Sequence, residues 1–323
     1  MYRTNQATAE GALPGRRLGD FIVRDQIARG SFADVFLATQ PALHREAAVK
    51  ILRPEAARHP GFVARFRQEA LIAAHIDHPY AVHLYGFGIE PDGTQWLAME
   101  LVRGTPLNRL LQERGAIELQ VLAPLVGRIA AVLDTLHEQG IVHRDVKPAN
   151  LLVLTRAGEL LPKLIDFGVA ARIDLAPIER LAVLPVHGTT DSVTLDLRER
   201  GPDGPRRPRT PTMDDAIVGS PPYMAPELWR SGSVGPSVDQ YALALVAYEA
   251  LAGQRPFASE TIPLMATLHR DAPLPPIGRG VSPSVDRVLA RGAAKRPRDR
   301  YPSVMAFAQD LEVAALTTSR SSA

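Results

Sequence analysis

His143-Arg144-Asp145-Val146-Lys147-Pro148-Ala149-Asn150 is the stretch on which the reading of this chain turns. An aspartate, a lysine two positions on and an asparagine five positions on do not share one face of a regular helix or strand. A loop can aim all three into a cleft. Downstream, the strand-like Lys163-Leu164-Ile165 runs into Asp166-Phe167-Gly168, and Ala225-Pro226-Glu227 follows later. Upstream, Ala48-Val49-Lys50 closes a run that reads as a strand.

The surrounding pattern places these motifs on elements. Residues 21–28, 34–40 and 46–52 alternate apolar and polar side chains and are rich in β-branched residues, which predicts three strands. Ala28-Arg29-Gly30-Ser31 between the first two is a turn signal. Phe62, Phe66, Ala70 and Ala73 recur at helical spacing and predict a helix over Pro60–Ile76. Two more strands are expected at Ala81–Gly88 and Gln95–Leu101, which makes a small α+β lobe of five strands and one main helix. Past Val102-Arg103-Gly104 the chain reads mostly helical. A long apolar-periodic helix covers Leu119–Gln139, and Gly140 sits where a helix-ending glycine belongs. Short strands are expected near Leu151–Leu154 and Lys163–Ile165. Residues 237–252 are apolar on nearly all sides, as in a deeply buried helix. Amphipathic helices are expected at Ser282–Arg291 and Pro302–Leu316. Residues 1–19 read as a loose arm and 316–323 as a tail. The Pro- and Arg-rich stretch 169–222 is expected to be a functional loop with disordered parts.

A strand lysine, a catalytic loop, a metal-binding Asp-Phe-Gly and an Ala-Pro-Glu, in that order, are the protein-kinase signature set. The chain closely resembles the protein-kinase superfamily, specifically the eukaryote-like serine/threonine kinases of bacteria, over about residues 20–315. The resemblance implies a bilobal α+β fold. Its smaller lobe is 20–102, a five-stranded antiparallel sheet with one main helix, and its larger, mostly helical lobe is 103–315. The activation segment is then 166–227, with a Pro/Arg-rich insert at about 180–209.

The resemblance also implies transfer of the ATP γ-phosphate to serine or threonine hydroxyls of proteins, with Mg2+ (or Mn2+). Phosphoryl transfer needs positioning and charge neutralisation more than covalent help. Asp145 is implied as the group that accepts the substrate hydroxyl proton. Asn150 and Asp166 hold the metal, and Lys147 steadies the transferring phosphate. Lys50 contacts the α- and β-phosphates and pairs with a helix glutamate, for which Glu69 has the right place. An ordinary strand–helix salt bridge is the plainer reading of that pair taken alone. Around the nucleotide the resemblance implies Ile27, Gly30, Ser31, Val35, Ala48 and Leu152, with Met99 at the back and Glu100 and Val102 offering backbone groups. Glu227 and Arg300 resemble a buried ion pair that anchors the Ala-Pro-Glu segment. Asp239 resembles the aspartate that ties the catalytic-loop backbone to the buried helix, and Ser220 resembles a hydroxyl that meets the catalytic Asp and Lys. Arg144 suggests control by activation-loop phosphorylation, with Thr210 and Thr212 as candidate positions and a homodimer for phosphorylation in trans.

One motif departs from the family. Where the glycine-rich loop reads G-x-G-x-x-G-x-V, this chain has Ala28, Gly30, Ala33 and Val35. Alanine resists positive φ, which suggests a stiffer loop. The alternative that follows is a pseudokinase-like scaffold with weak or no catalysis.

Composition sets the outer bounds. Among 323 residues there is no cysteine, which excludes disulfides, thiolate zinc sites and cysteine nucleophiles. A formal net charge of +2 gives no argument for nucleic acid. The longest unbroken apolar run, Tyr241–Tyr248, is far short of a membrane span, so a cytoplasmic protein is expected. Four lysines, Lys50, Lys147, Lys163 and Lys295, stand among 37 basic residues, and two of them fall where the family demands lysine rather than arginine. His75 and His78 have metal-compatible spacing but no acidic or cysteine partner, and a turn is the better reading.

Overall fold

The structure is a computed structural model of the chain and describes residues 13–30, 32–168, 170–172, 220–230, 234–278 and 280–321. These divide into two compact units, 13–74 with 83–102, and 75–82 with 103–321.

The first unit is built on one antiparallel sheet. Its strands are β1 (Arg17–Leu18), β2 (Phe21–Arg29), β3 (Ala33–Gln40), β4 (Arg45–Leu52), β5 (Leu84–Ile89) and β6 (Gln95–Glu100), in the order β1-β2-β3-β4-β6-β5. A short helix α1 (Pro54–Ala57) and the longer α2 (Pro60–His75) follow β4 in the chain. Six consecutive residues of β4, Ala47–Leu52, are buried, so both faces of this strand are covered. Because strand side chains alternate, Ala47, Val49 and Ile51 point to one face. There they join Leu18, Phe21, Val23, Phe36, Ala38, Trp96 and Ala98 in a core. Ala48 and Lys50 therefore point to the other face. The core fixes its own glycine: a Cβ on Gly88 would lie 2.4 Å from the Trp96 ring.

Two expectations for this unit need correction. The sheet has six strands, not five, because Arg17–Leu18 pairs with Ile22 and Phe21. Residues 17–19 are thus not a loose arm. Leu18 is fully buried in the core, and a two-residue strand is too short to show a period. The strand expected from Ala81 begins only at Leu84; Ala81 itself belongs to the second unit, where it makes a single parallel bridge to Leu164.

The second unit is mainly helical. It comprises β7 (Thr105–Pro106), α3 (Leu107–Arg114), α4 (Leu119–Glu138), β8 (Ile141–Val142), β9 (Leu151–Arg156), β10 (Glu159–Leu164), β11 (Ala171–Arg172), α5 (Ser237–Ala252), α6 (Ile262–Asp271), α7 (Pro283–Gly292) and α8 (Val304–Ser321). The strands form two small antiparallel sheets, β10-β9-β7 and β11-β8. α5 is buried along almost its whole length, as its apolar sequence requires. α4 packs against α5, α8 and β10, and α7 packs against α5 and α8. By length and composition α4 is the one helix among the described residues able to cross a membrane, but half of that window is buried inside the unit. Gly140 does end the α4 region with positive φ (69°), its N–H donating to His137 O at 2.9 Å. α3 and α6 were not anticipated, since both are short, at eight and ten residues.

Candidate active site

The first unit places Lys50 in the middle of β4, and the strand register sets what surrounds it. Val35 lies opposite Lys50, Ala28 opposite Val35, and Met99 opposite Ala48. Directly opposed residues share a face. Val35, Ala48, Lys50 and Met99 therefore line the face of the sheet away from the Trp96 core. Lys50 Nζ donates to Glu69 Oε1 and Oε2 of α2 at 2.7 and 2.8 Å. Glu69 is 2% exposed and Lys50 9%, so the pair is held out of water. Ile27 is half-buried on β2, and Glu100, at the end of β6, donates its N–H to His83 O at 2.8 Å. Val102 follows as a half-buried residue beyond the strand.

The glycine-poor loop does not fit the stiff-alanine expectation. Ala28 pairs within β2 and Ala33 opens β3, and neither has positive φ. Alanine is unstrained at both positions, so the premise of a scaffold without catalysis is removed. Gly30 carries the turn: its N–H donates to Ala33 O at 2.9 Å, and a Cβ there would come within 2.7 Å of that same oxygen. Ser31 lies outside the described residues.

The second unit assembles the loop after β8. Lys147 Nζ donates to Asp145 Oδ2 at 2.6 Å and to Ser220 Oγ at 2.8 Å. Asn150 Nδ2 donates to the Asp145 carbonyl at 2.9 Å and to its Oδ2 at 3.1 Å. The other carboxylate oxygen, Asp145 Oδ1, is buried with no hydrogen-bond partner among the described residues. The two oxygens of this carboxylate are thus unequally engaged. Leu152 lies on β9 opposite Pro106, and Asp166 Oδ1 accepts the Gly168 N–H at 3.0 Å in a tight turn.

Asp239, in the first turn of α5, holds this loop. Fully buried, it accepts the N–H of His143 through Oδ2 and that of Arg144 through Oδ1, both at 2.8 Å. Arg144 adopts φ of 64°, a left-handed conformation that non-glycine residues avoid. The two backbone hydrogen bonds hold it there. Burial pushes the Arg144 guanidinium below its ordinary pKa, and the Asp239 charge opposes that shift. Glu227 and Arg300 form a two-pronged pair at 2.7 and 2.8 Å, and Arg300, 3% exposed, also donates to Ser237 O and Ala294 O.

Three contributors had escaped the sequence. His137 Nε2, at the end of α4, is a third partner of Asp239 at 2.8 Å. Gln240 bridges α5 to Tyr301 and Ser303. The Phe32 ring centre lies 5.3 Å from Lys50 Nζ. Each is a contact over long sequence separation with no local signature. Thr210 and Thr212 lie outside the described residues, as does the insert at about 180–209.

The fold and these two clusters define a class, and the comparisons agree. The family described as protein kinase domain matches residues 21–186, and the chain belongs to this family. It is 33% identical over 294 residues to the serine/threonine-protein kinase PknA of Mycobacterium tuberculosis, covering 90% of this chain and 60% of PknA. To PknB of Mycobacterium leprae it is 32% identical over 293 residues, covering 89% of this chain and 42% of PknB. The chain thus spans less than two thirds of the length of these relatives. Among solved structures, the PknI kinase domain of M. tuberculosis matches with a TM-score of 0.66 and 26% identity, over 96% of this chain and 99% of that one.

Proposed function

We propose that this chain is a serine/threonine protein kinase that transfers the γ-phosphate of ATP to protein hydroxyls. The observation that carries this reading is the asymmetric Asp145 carboxylate, clamped at Oδ2 by Lys147 and Asn150 and without a hydrogen-bond partner at Oδ1 among the described residues. In the proposed step Asp145 Oδ1 accepts the proton of the substrate hydroxyl as the hydroxyl oxygen bonds to the γ-phosphorus. The bond from phosphorus to the β–γ bridging oxygen breaks, and ADP leaves. Lys147 balances charge on the phosphoryl group, and Lys50, held by Glu69, takes the α- and β-phosphates.

A divalent cation fits the donor chemistry. The Asn150 amide nitrogen is engaged by Asp145, which turns its carbonyl oxygen to other use, and Asp166 adds a carboxylate. Two oxygen donors, with the remaining positions left to water and phosphate, suit Mg2+. When bound, the metal supplies neutralisation of phosphate charge. The serine/threonine preference is supported by Lys147 reaching Ser220, and by the names of the relatives. Phosphorylation of its own Thr210 and Thr212 belongs to the same proposal.

The test is incubation of purified protein with labelled ATP and Mg2+. Transfer of label that disappears in Asp145→Asn is expected, with the loss on the order of a hundredfold or more for a displaced acid–base group. No transfer by the parent protein, despite nucleotide binding, overturns the reading.

A further inference from the structure

The ring of Phe32 has a second contact besides its approach to Lys50. It stacks on Phe62 of α2, with centroids 5.8 Å apart and planes 14° from parallel. His59 meets Phe62 edge-on, at 6.0 Å and 83°. Phe32 is the last residue of the loop that joins β2 to β3, whereas Phe62 stands two turns before Glu69 on α2. The backbone around Phe32 is fastened as well. Its carbonyl accepts the Arg53 N–H at 3.0 Å, and the Arg53 guanidinium lies 3.3 Å from Asp34 Oδ1. Arg53 directly follows β4, the strand that carries Lys50. One end of the loop is therefore bound to the lysine strand and its aromatic side chain to the glutamate helix.

We propose that Phe32 is a positioning residue: its stack on Phe62 couples the β2–β3 loop to α2, so that the loop and the Lys50–Glu69 pair are held as one unit. The inference rests on the kinase reading for its catalytic consequence, but the mechanical link stands on the contacts alone. It also explains how the loop between Ala28 of β2 and Ala33 of β3 is given its place: ring stacking and the Arg53 contacts define it. A near-parallel aromatic pair contributes beyond its buried area. The Phe32 ring also presents its electron-rich face toward an ammonium already held by a carboxylate.

Phe32→Ala, Phe62→Ala and the double variant test this, with Phe62→Tyr as the conservative control. Each alanine variant is expected to lower kcat/KM for ATP about three- to tenfold, and the double variant no further than the worse single one. Phe62→Tyr is expected to retain activity. In parallel, amide hydrogen exchange without nucleotide is expected to speed up across the contact: Phe32→Ala in residues 62–69, and Phe62→Ala in residues 32–35. Additive losses in the double variant, or exchange changes confined to the mutated element, overturn the coupling. If the parent protein turns over no ATP, the kinase reading fails while the exchange measurement still decides the coupling.

Discussion

Lys50 shows how far one side chain can be read in advance. Its strand, its glutamate partner and the distance along the chain between them were all legible, because strand and helix periods are local. What was not legible is how dry the pair is. Replacing Lys50 by methionine removes the ammonium that holds a carboxylate only 2% exposed. Lys50→Met is therefore expected to lose activity and also about 3 kcal/mol of stability, the usual result of removing one member of a buried pair. Lys50→Met combined with Glu69→Gln is expected to regain part of that stability without regaining turnover. Denaturant unfolding of the two variants checks it. Asp145 makes the same point: its place in the loop was readable, but the division of labour between its two oxygens belongs to three-dimensional neighbours.

At the scale of elements, long periodic segments were readable and short ones were not. α2, α4 and α5 carry three or more turns of consistent pattern, and the structure has them within a few residues of the expected ends. β1, β7, β8 and β11 are two residues each and exist only because a neighbouring strand pairs with them. The β9–β10 hairpin hides a local conflict. Its two connecting residues, Ala157 and Gly158, both have positive φ, at 48° and 85°. That is the backbone of a two-residue hairpin turn that favours Asn-Gly. Alanine is disfavoured there by the clash of its Cβ with the backbone. Ala157→Asn is expected to raise stability by about 0.5–1 kcal/mol, with activity unchanged, as measured by thermal unfolding.

At the scale of the whole molecule, the family and its order of motifs were legible because they depend on residue types in sequence. The network beneath the second unit was only partly so. Around His269, which is fully buried, Trp229, Tyr241 and Phe257 crowd the ring, and Tyr241 Oη meets its Nδ1 at 3.0 Å. Its Nε2 has no hydrogen-bond partner among the described residues, and the half-buried Lys295 ammonium lies nearby, donating to His269 O at 2.8 Å. Burial, aided by that ammonium, pushes the imidazole down to about 4 from 6.5. The folded state therefore keeps His269 neutral where the unfolded chain protonates it. Its contribution is complete above pH 6.5 and is lost as pH falls toward about 4, on the order of 3 kcal/mol in all. Unfolding midpoints measured from pH 7 to pH 4 are expected to fall, and His269→Phe is expected to flatten that part of the profile. An equally steep profile in the variant would assign the loss to other groups.

The scarcity of lysine has a practical corollary. All four ε-amino groups have an internal partner: Lys50 on Glu69, Lys147 on Asp145, Lys163 on Ala81 O and Lys295 on the end of α6. Acylating reagents thus meet a molecule whose outward cations are guanidinium groups they do not modify. Any lysine label that does enter under native conditions therefore reports on one of these four paired ammonium groups.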